Sequence, residues 1–427
     1  MKNKFVESTI ILMLGTMFTR LLGFFIKIYF TRIIGEGINL YSLLMPTYSL
    51  VIAITQLGLP YAISIYVARK KTRSVTIAFN IIPIALLFNL LVIFLLISSS
   101  DFIAFNLLHN IDLKYPIIAI SYVIPFTTVS GIIKGYFFGK QNMLPNAISS
   151  IFEQLTRMFI VFFILPIMVK NNVLKALTFF IFSNAICELV QIIVYLFFLP
   201  KNIYINLKKL SFNKKVIKDV FGISIPQVSS RIIGNISYFL EPIILTNTLL
   251  FVGYNYHYIV SEYAAYNAYV LPTLLIPSFI TQTLNTTLIP EISKNYNNKY
   301  TVRKIFLRVL GLSFIIGISI SWIIHFMPSF VLNLIYHTSK GVNYLYYLSI
   351  IFPLFYLEGT LSCTLQALGN SKYTMNVTFV TCIIKLFNMF LLSLLKIGIW
   401  SLIISEVIDI ILVDLALFIK IKRKLYN

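Results

Sequence analysis

Apolar residues run in long blocks, and the polar residues between them are few and mostly basic. A helix crosses a bilayer with about 20 apolar residues. Twelve blocks meet that length: 8–33, 41–67, 75–98, 116–138, 146–169, 174–199, 219–250, 257–287, 304–327, 342–367, 373–395 and 397–419. The pattern predicts an all-α membrane protein of twelve transmembrane helices. Pro46, Pro125, Pro166, Pro226, Pro242, Pro272, Pro277 and Pro353 fall inside the blocks. Proline removes a backbone donor and bends a helix, and in a bilayer neighbouring helices re-satisfy the freed carbonyls.

Composition removes the alternatives. The 427 residues are 58% hydrophobic and 11% charged, against about 25% charged in a soluble domain. No long polar region exists to form a soluble domain on a single anchor. The first block has no small-residue cleavage site, so it is expected to stay in place as a span. The net charge of +21 raises nucleic acid as a partner, but the bases lie in short connections between blocks, which excludes that reading. Arg69, Lys70, Lys71 and Arg73 follow the second block, Lys134 and Lys140 close the fourth, and Lys201, Lys208, Lys209, Lys214, Lys215 and Lys218 follow the sixth. Lys294, Lys299, Arg303 and Lys304 follow the eighth, and Lys420, Lys422, Arg423 and Lys424 end the chain. The odd-numbered connections carry only scattered lysines. Cytoplasmic connections are the basic ones, so a multi-pass protein with both termini in the cytoplasm is expected. Cys187, Cys363 and Cys382 lie in apolar blocks as packing residues, and the four histidines are scattered, so no metal site is expected.

The chain is written twice. Thr19-Arg20-Leu21-Leu22-Gly23 and Ser230-Arg231-Ile232-Ile233-Gly234 share one pattern near the start of each half. A weaker echo joins Thr55-Gln56 with Ile63-Ser64 to Thr281-Gln282 with Ile292-Ser293. These predict an N-terminal six-helix lobe over 1–200, a basic cytoplasmic linker over 201–218 and a C-terminal six-helix lobe over 219–427. Six spans per half start both halves on the same side, a parallel pseudo-two-fold repeat about the membrane normal. The linker alternates apolar residues with its lysines, and it either lies on the anionic inner leaflet or is solvated.

Few charges remain inside the blocks: Arg20, Lys27, Arg157, Arg231 and Lys385, against Glu153, Glu188, Glu241, Glu358, Glu406, Asp409 and Asp414. A base at bilayer depth costs about 2.5 kcal/mol or more and faces a bundle interior or a wet cavity. Arg20 and Lys27 are seven residues apart, two turns along one helix face. With Arg231 in the other half they outline a basic chamber. An arginine fork matches phosphate oxygens, so the expected cargo is an anion, a phosphate or pyrophosphate. The structural alternative pairs these arginines with Glu241 or Glu153. Glu153 and Arg157 are four apart, as an ion pair along one face or as a gate that substrate opens. Glu241 stands before Pro242, where it either pairs or helps to hold a cation. Glu406, Asp409 and Asp414 share the last block with no base near them in sequence. No P-loop and no nucleophile–base motif is present, so neither an enzyme nor a cofactor is expected.

Taken as a set, several segments resemble a known family: Thr19-Arg-Leu-Leu-Gly-Phe24, Leu57-Gly-Leu-Pro-Tyr-Ala-Ile-Ser64, Lys134-Gly-Tyr-Phe-Phe-Gly-Lys-Gln-Asn-Met143, Glu153-Gln-Leu-Thr-Arg157, Ser230-Arg-Ile-Ile-Gly-Asn-Ile-Ser237 with Glu241-Pro242, and Pro277-Ser-Phe-Ile280. They are similar, in order from about residue 8 to 370, to the stage V sporulation protein B family. That family sits in the polysaccharide-exporter branch of the MOP superfamily, which also holds the MATE drug exporters and the lipid II flippases. The resemblance implies two MATE-like lobes working by alternating access. It also implies a flippase moving an undecaprenyl pyrophosphate-linked cell-wall or polysaccharide precursor, in spore cortex or envelope synthesis. By position it assigns Arg20 and Arg231 to the pyrophosphate, with Lys27 and Arg157 as further substrate-binding residues and Glu153 and Glu241 as gating or ion-pair residues. Its members usually carry two further C-terminal spans, which in the flippases help to form a groove for the lipid tail. This sequence stops after its twelfth span, at Lys420-Ile-Lys-Arg-Lys424, the helix count of the MATE exporters. The expected partners are the anionic lipid-linked oligosaccharide, membrane lipids and a sodium or proton coupling ion, with the chain as a monomer. The rival readings are a cation-coupled MATE-type exporter of small organic molecules and a non-transporting membrane scaffold for cell-wall or spore synthesis.

Overall fold

The computed structural model describes residues 2–70, 76–199, 214–276, 278–295 and 298–426. Most of the expected linker, with Lys71, Arg73 and Pro277, lies outside the described residues. Among the described residues the chain is helical, without strands. The first six blocks become α1 (Lys2–Ile34), α2 (Gly37–Gln56) with α3 (Leu59–Lys70), α4 (Thr76–Ser98), α5 (Lys114–Gly139), α6 (Leu144–Phe159) with α7 (Leu165–Asn171), and α8 (Val173–Phe198). The last six become α9 (Lys214–Phe251), α10 (Tyr256–Ala264) with α11 (Leu271–Leu275) and α12 (Ser278–Lys294), α13 (Lys299–Phe326), α15 (Val342–Ala367), α16 (Ser371–Leu394) and α17 (Trp400–Tyr426). A short α14 (Pro328–Tyr336) connects α13 to α15.

Local chemistry explains the starts and breaks. Asn172, Asn255 and Asn298 cap α8, α10 and α13, their side chains accepting from the backbone N–H of Lys175, His257 and Thr301. The second block, expected as one span, is two helices. Leu57 and Gly58 sit at φ 46° and 60°, a left-handed pair that ends α2, and Pro60 starts α3 without needing a donor. The π turns Ile160–Ile164 and Ala265–Val270 each end two residues before a proline, Pro166 and Pro272. A missing proline N–H loosens the ladder ahead of it, and the wider turn absorbs the mismatch.

The chain divides into two compact units, Met1–Asn235 and Ile236–Asn427, so the division by packing falls inside α9. In the first unit α5 packs against α2, α3, α4 and α8, while α6 packs against α1 and α8. Its buried core joins Leu59, Ile63 and Tyr66 of α3, Ile81 and Ala85 of α4, Ile132, Tyr136 and Phe137 of α5, and Tyr195 of α8. Val220, in the first turns of α9, belongs to the same core, which is why packing assigns that end of α9 to the first unit. In the second unit α15 packs against α12, α13 and α17, and α16 packs against α17. Its core joins Leu288 and Ile292, Val302 and Phe306, Leu361 and Leu365, and Val413, Leu417 and Ile421. The two cores share the second, third, fourth and sixth spans of each half, and the second core adds Val377 of its fifth span. The duplication read from the paired pentapeptides is therefore repeated in the packing.

One close approach shows what the motif around Lys134 is for. A Cβ on Gly135 would stand 2.3 Å from the Pro60 carbonyl oxygen and 2.8 Å from its Cα, and one on Gly139 would stand 2.7 Å from the Ser64 carbonyl oxygen. These glycines, four apart, let α5 lie against the backbone of α3, the usual role of small residues between membrane helices.

Candidate functional site

The basic face of the first span is set by how α1 lies on α6. Gly15 abuts Ala147, Gly23 abuts Gln154, and Tyr29 stacks on Phe162 with ring centroids 4.0 Å apart. Both numbers rise together, so the helices run parallel, and the Gly23–Gln154 register places Lys27 level with Met158, one residue past Arg157. Arg20 is exposed and Lys27 half-buried, and neither has an ion-pair partner among the described residues. The Oε1 atom of Gln154, buried beside this face, also lacks a hydrogen-bond partner.

Arg157 is held differently. Its Nη2 donates to Glu153 Oε1 at 2.9 Å, and Gln191 of α8 donates to the other carboxylate oxygen at 3.2 Å. The pair is therefore tied between the fifth and sixth spans, the ion-pair alternative of the sequence reading. One N–H of the guanidinium, on Nε, remains buried without an acceptor. Nearby, Ser130 of α5 donates to Glu188 of α8. Arg231 is exposed on α9 with no ion pair among the described residues, and Asn235 donates to its carbonyl oxygen at 2.7 Å.

The second unit holds a cluster that sequence reasoning missed. Lys385 of α16 donates to Glu241 of α9 at 2.7 Å and also pairs with Glu406 of α17. All three side chains are largely buried, the lysine at 9% exposure. Two expectations are corrected here. Glu241 and Glu153 are spoken for by Lys385 and Arg157, so neither neutralises Arg20 or Arg231. And Glu406 does have a base, supplied across the α16–α17 hairpin. Asp409, on the same helix as Glu406, has its Oδ1 buried without a hydrogen-bond partner. Asp414 has both carboxylate oxygens buried without a partner, with Glu358 of α15 as its charged neighbour. Among the described residues no group of three His, Cys, Asp or Glu side chains converges to hold a metal ion.

Spans five and six of the first half, and seven, eleven and twelve of the second, are thus each joined by an internal ion pair and its hydrogen bonds. The helical fold is one that solved transporters of the MOP superfamily share. An inward-facing multidrug-resistance MATE family transporter of that superfamily matches with a TM-score of 0.74 at 15% identity, covering 96% of this chain and 94% of that one. Residues 5–296 match the family described as polysaccharide biosynthesis protein, and the chain belongs to that family. It is 30% identical over 411 residues to stage V sporulation protein B of Bacillus subtilis (strain 168), covering 92% of this chain and 78% of that protein. It is 24% identical over 430 residues to the lipid II flippase MurJ of the same organism, covering 90% and 77% respectively. The chain is a multi-pass membrane protein of the transporter type and not an enzyme.

Proposed function

We propose that this protein is a flippase that carries an undecaprenyl pyrophosphate-linked saccharide across the bacterial cytoplasmic membrane by alternating access of lobes 1–200 and 219–427. The observation that carries the reading is that Arg20, Lys27 and Arg231, bases within membrane spans, have no counter-ion among the described residues. An uncompensated base at that depth costs about 2.5 kcal/mol or more, and a pyrophosphate supplies the missing charge and accepts the guanidinium forks. The orphaned Nε of Arg157 offers one further donor. The basic even-numbered connections support an orientation with both termini in the cytoplasm. The relatives support a lipid-linked precursor as cargo. The membrane potential suits the drive, since moving one charge through 100 mV is worth about 2.3 kcal/mol.

Proteoliposomes loaded with a fluorescent prenyl pyrophosphate disaccharide and an impermeant quencher test this. Arg20→Ala and Arg231→Ala should each slow translocation about tenfold, the loss of about 1.4 kcal/mol, with unchanged folding. The excess of carboxylates over Lys385 in the second unit favours one rival, a cation-coupled exporter of small organic cations. Dye export untouched by Arg20→Ala would establish that rival and end the flippase reading.

A further inference from the structure

At the end of the second unit away from the chain's C-terminus, α10 begins, α14 and its following loop cross, and α15 and α17 begin. Of these, α10, α14, its following loop and α15 border an open recess of about 450 Å³, whose polar lining is Tyr258, Glu262, Ser329, Ser339, Asn343 and Tyr344, with Gly341 and Val342 beside them. The volume lies within the range of about 300–1,000 Å³ typical of small-ligand sites. We propose that this recess is a saccharide-binding site.

The lining argues the ligand class. A carboxylate, a carboxamide, two aliphatic hydroxyls and two phenols converge there, unlike the apolar recesses that acyl chains occupy. Tyr344 donates its hydroxyl to one oxygen of Glu262, leaving the other free to accept from a ligand. No base pairs with Glu262 among the described residues, because the nearby Lys340 donates to Ser261 instead, at 3.4 Å. Among the described residues the side chains of Ser329, Ser339 and Asn343 and the hydroxyl of Tyr258 have no hydrogen-bond partner. The site thus offers donors and acceptors of both kinds around one fixed negative charge. That set repels anions, offers too few ligands for a metal, and suits an uncharged polyhydroxyl compound.

Two of the lining residues, Tyr258 and Tyr344, are aromatic, and further rings pack against them. Tyr254 and Tyr258 stack with centroids 5.5 Å apart, and Trp400 meets the edges of Tyr344 and Tyr347 at 5.2 and 5.4 Å. Amphipathic rings of this kind cover the C–H faces of a pyranose while their polar ends reach its hydroxyls. The walls are also fixed before any ligand arrives. Gly341 sits at φ 84°, and a Cβ there would stand 2.7 Å from Val270 Cγ2, so only glycine fits. Tyr254 donates to the Lys396 carbonyl oxygen at 2.5 Å, tying the rim to the α16–α17 turn. A preorganised site spends less ordering entropy on binding. With the orientation proposed above, the recess opens on the outer face. There it would take the head group of a lipid-linked saccharide or a free glycan, and only this choice of source rests on the flippase reading.

The chain has two tryptophans, Trp322 and Trp400. The Trp322→Phe variant therefore makes Trp400 a single reporter beside the recess. The full-length protein in nanodiscs is titrated with N,N′-diacetylchitobiose and with maltose, following Trp400 emission and saturation transfer to the sugar protons. The expected result is saturable binding of at least one disaccharide, weakened tenfold or more by Glu262→Gln and by Asn343→Ala and unaffected by Arg20→Ala. Repeating the titration with a prenyl pyrophosphate disaccharide separates the sources. A matching loss in Glu262→Gln places the lipid-linked head group here, and a loss for the free sugar alone assigns a soluble glycan. No saturable signal with either disaccharide, or wild-type affinity in both recess variants, overturns the site whatever the lipid-transport result.

Discussion

Replacing Lys385 by methionine should destabilise this protein more than any other single loss of charge. The side chain is similar in length, so the variant removes charge with little change of volume. At the 2.7 Å separation from Glu241, Coulomb attraction through an effective dielectric of about 20 is about 6 kcal/mol, before desolvation cancels most of it. What the variant leaves behind matters more, because Glu241 and Glu406 then face each other, buried, with no cation between them. Breaking a buried pair from one side costs about 3–5 kcal/mol. For a unit of this size that lowers the apparent melting temperature by ~10 °C. The assay is thermal unfolding of purified protein followed by size exclusion. The triple variant Glu241→Gln, Lys385→Met, Glu406→Gln should recover to within about 1–2 kcal/mol of wild type, since neutral replacement of a whole buried pair is often near neutral. If Lys385→Met melts with the wild type, or the triple variant melts with the single one, the cluster is not the internal ion pair described.

Two further predictions follow from packing and burial. Gly135→Ala drives a methyl group into the Pro60 backbone and should cost about 1–3 kcal/mol, seen as reduced monodisperse protein, whereas Gly222→Ala meets nothing within 4 Å and should not. Asp414→Asn removes a carboxylate whose two oxygens are buried without partners, so it should leave the melting temperature unchanged or raise it, because an unpaired buried charge costs more than a neutral amide.

Much of the fold was legible because each span announces itself by hydropathy. The block 342–367 is α15 residue for residue, and 373–395 differs from α16 by two residues at one end and one at the other. The break at Leu57–Gly58 was written as Gly-Leu-Pro, but continuous hydropathy hid it. The paired pentapeptides gave the repeat, and the cores confirm it in matching spans. The partnership of Lys385 with Glu406 is also legible in the sequence, because the two lie at similar distances on either side of one hairpin turn. The α16–α17 turn sets Ser393 against Ser401 at 2.8 Å, and the same reflection carries residue 385 to about 409, within one helical turn of Glu406. The contact of Glu241 with Lys385, 144 residues apart, was not legible. It depends on which face the seventh span turns inward, and a helix that is apolar almost all round does not declare that in its periodicity.

The central claim is that the unpaired bases of the first and seventh spans hold a lipid pyrophosphate. Gentle extraction of the purified protein followed by mass spectrometry of bound lipid tests it most directly. The wild type should carry a prenyl pyrophosphate saccharide, and Arg20→Ala should lose it while keeping ordinary phospholipids. Phospholipids alone in the wild type, or an unchanged prenyl lipid in Arg20→Ala, would contradict the account.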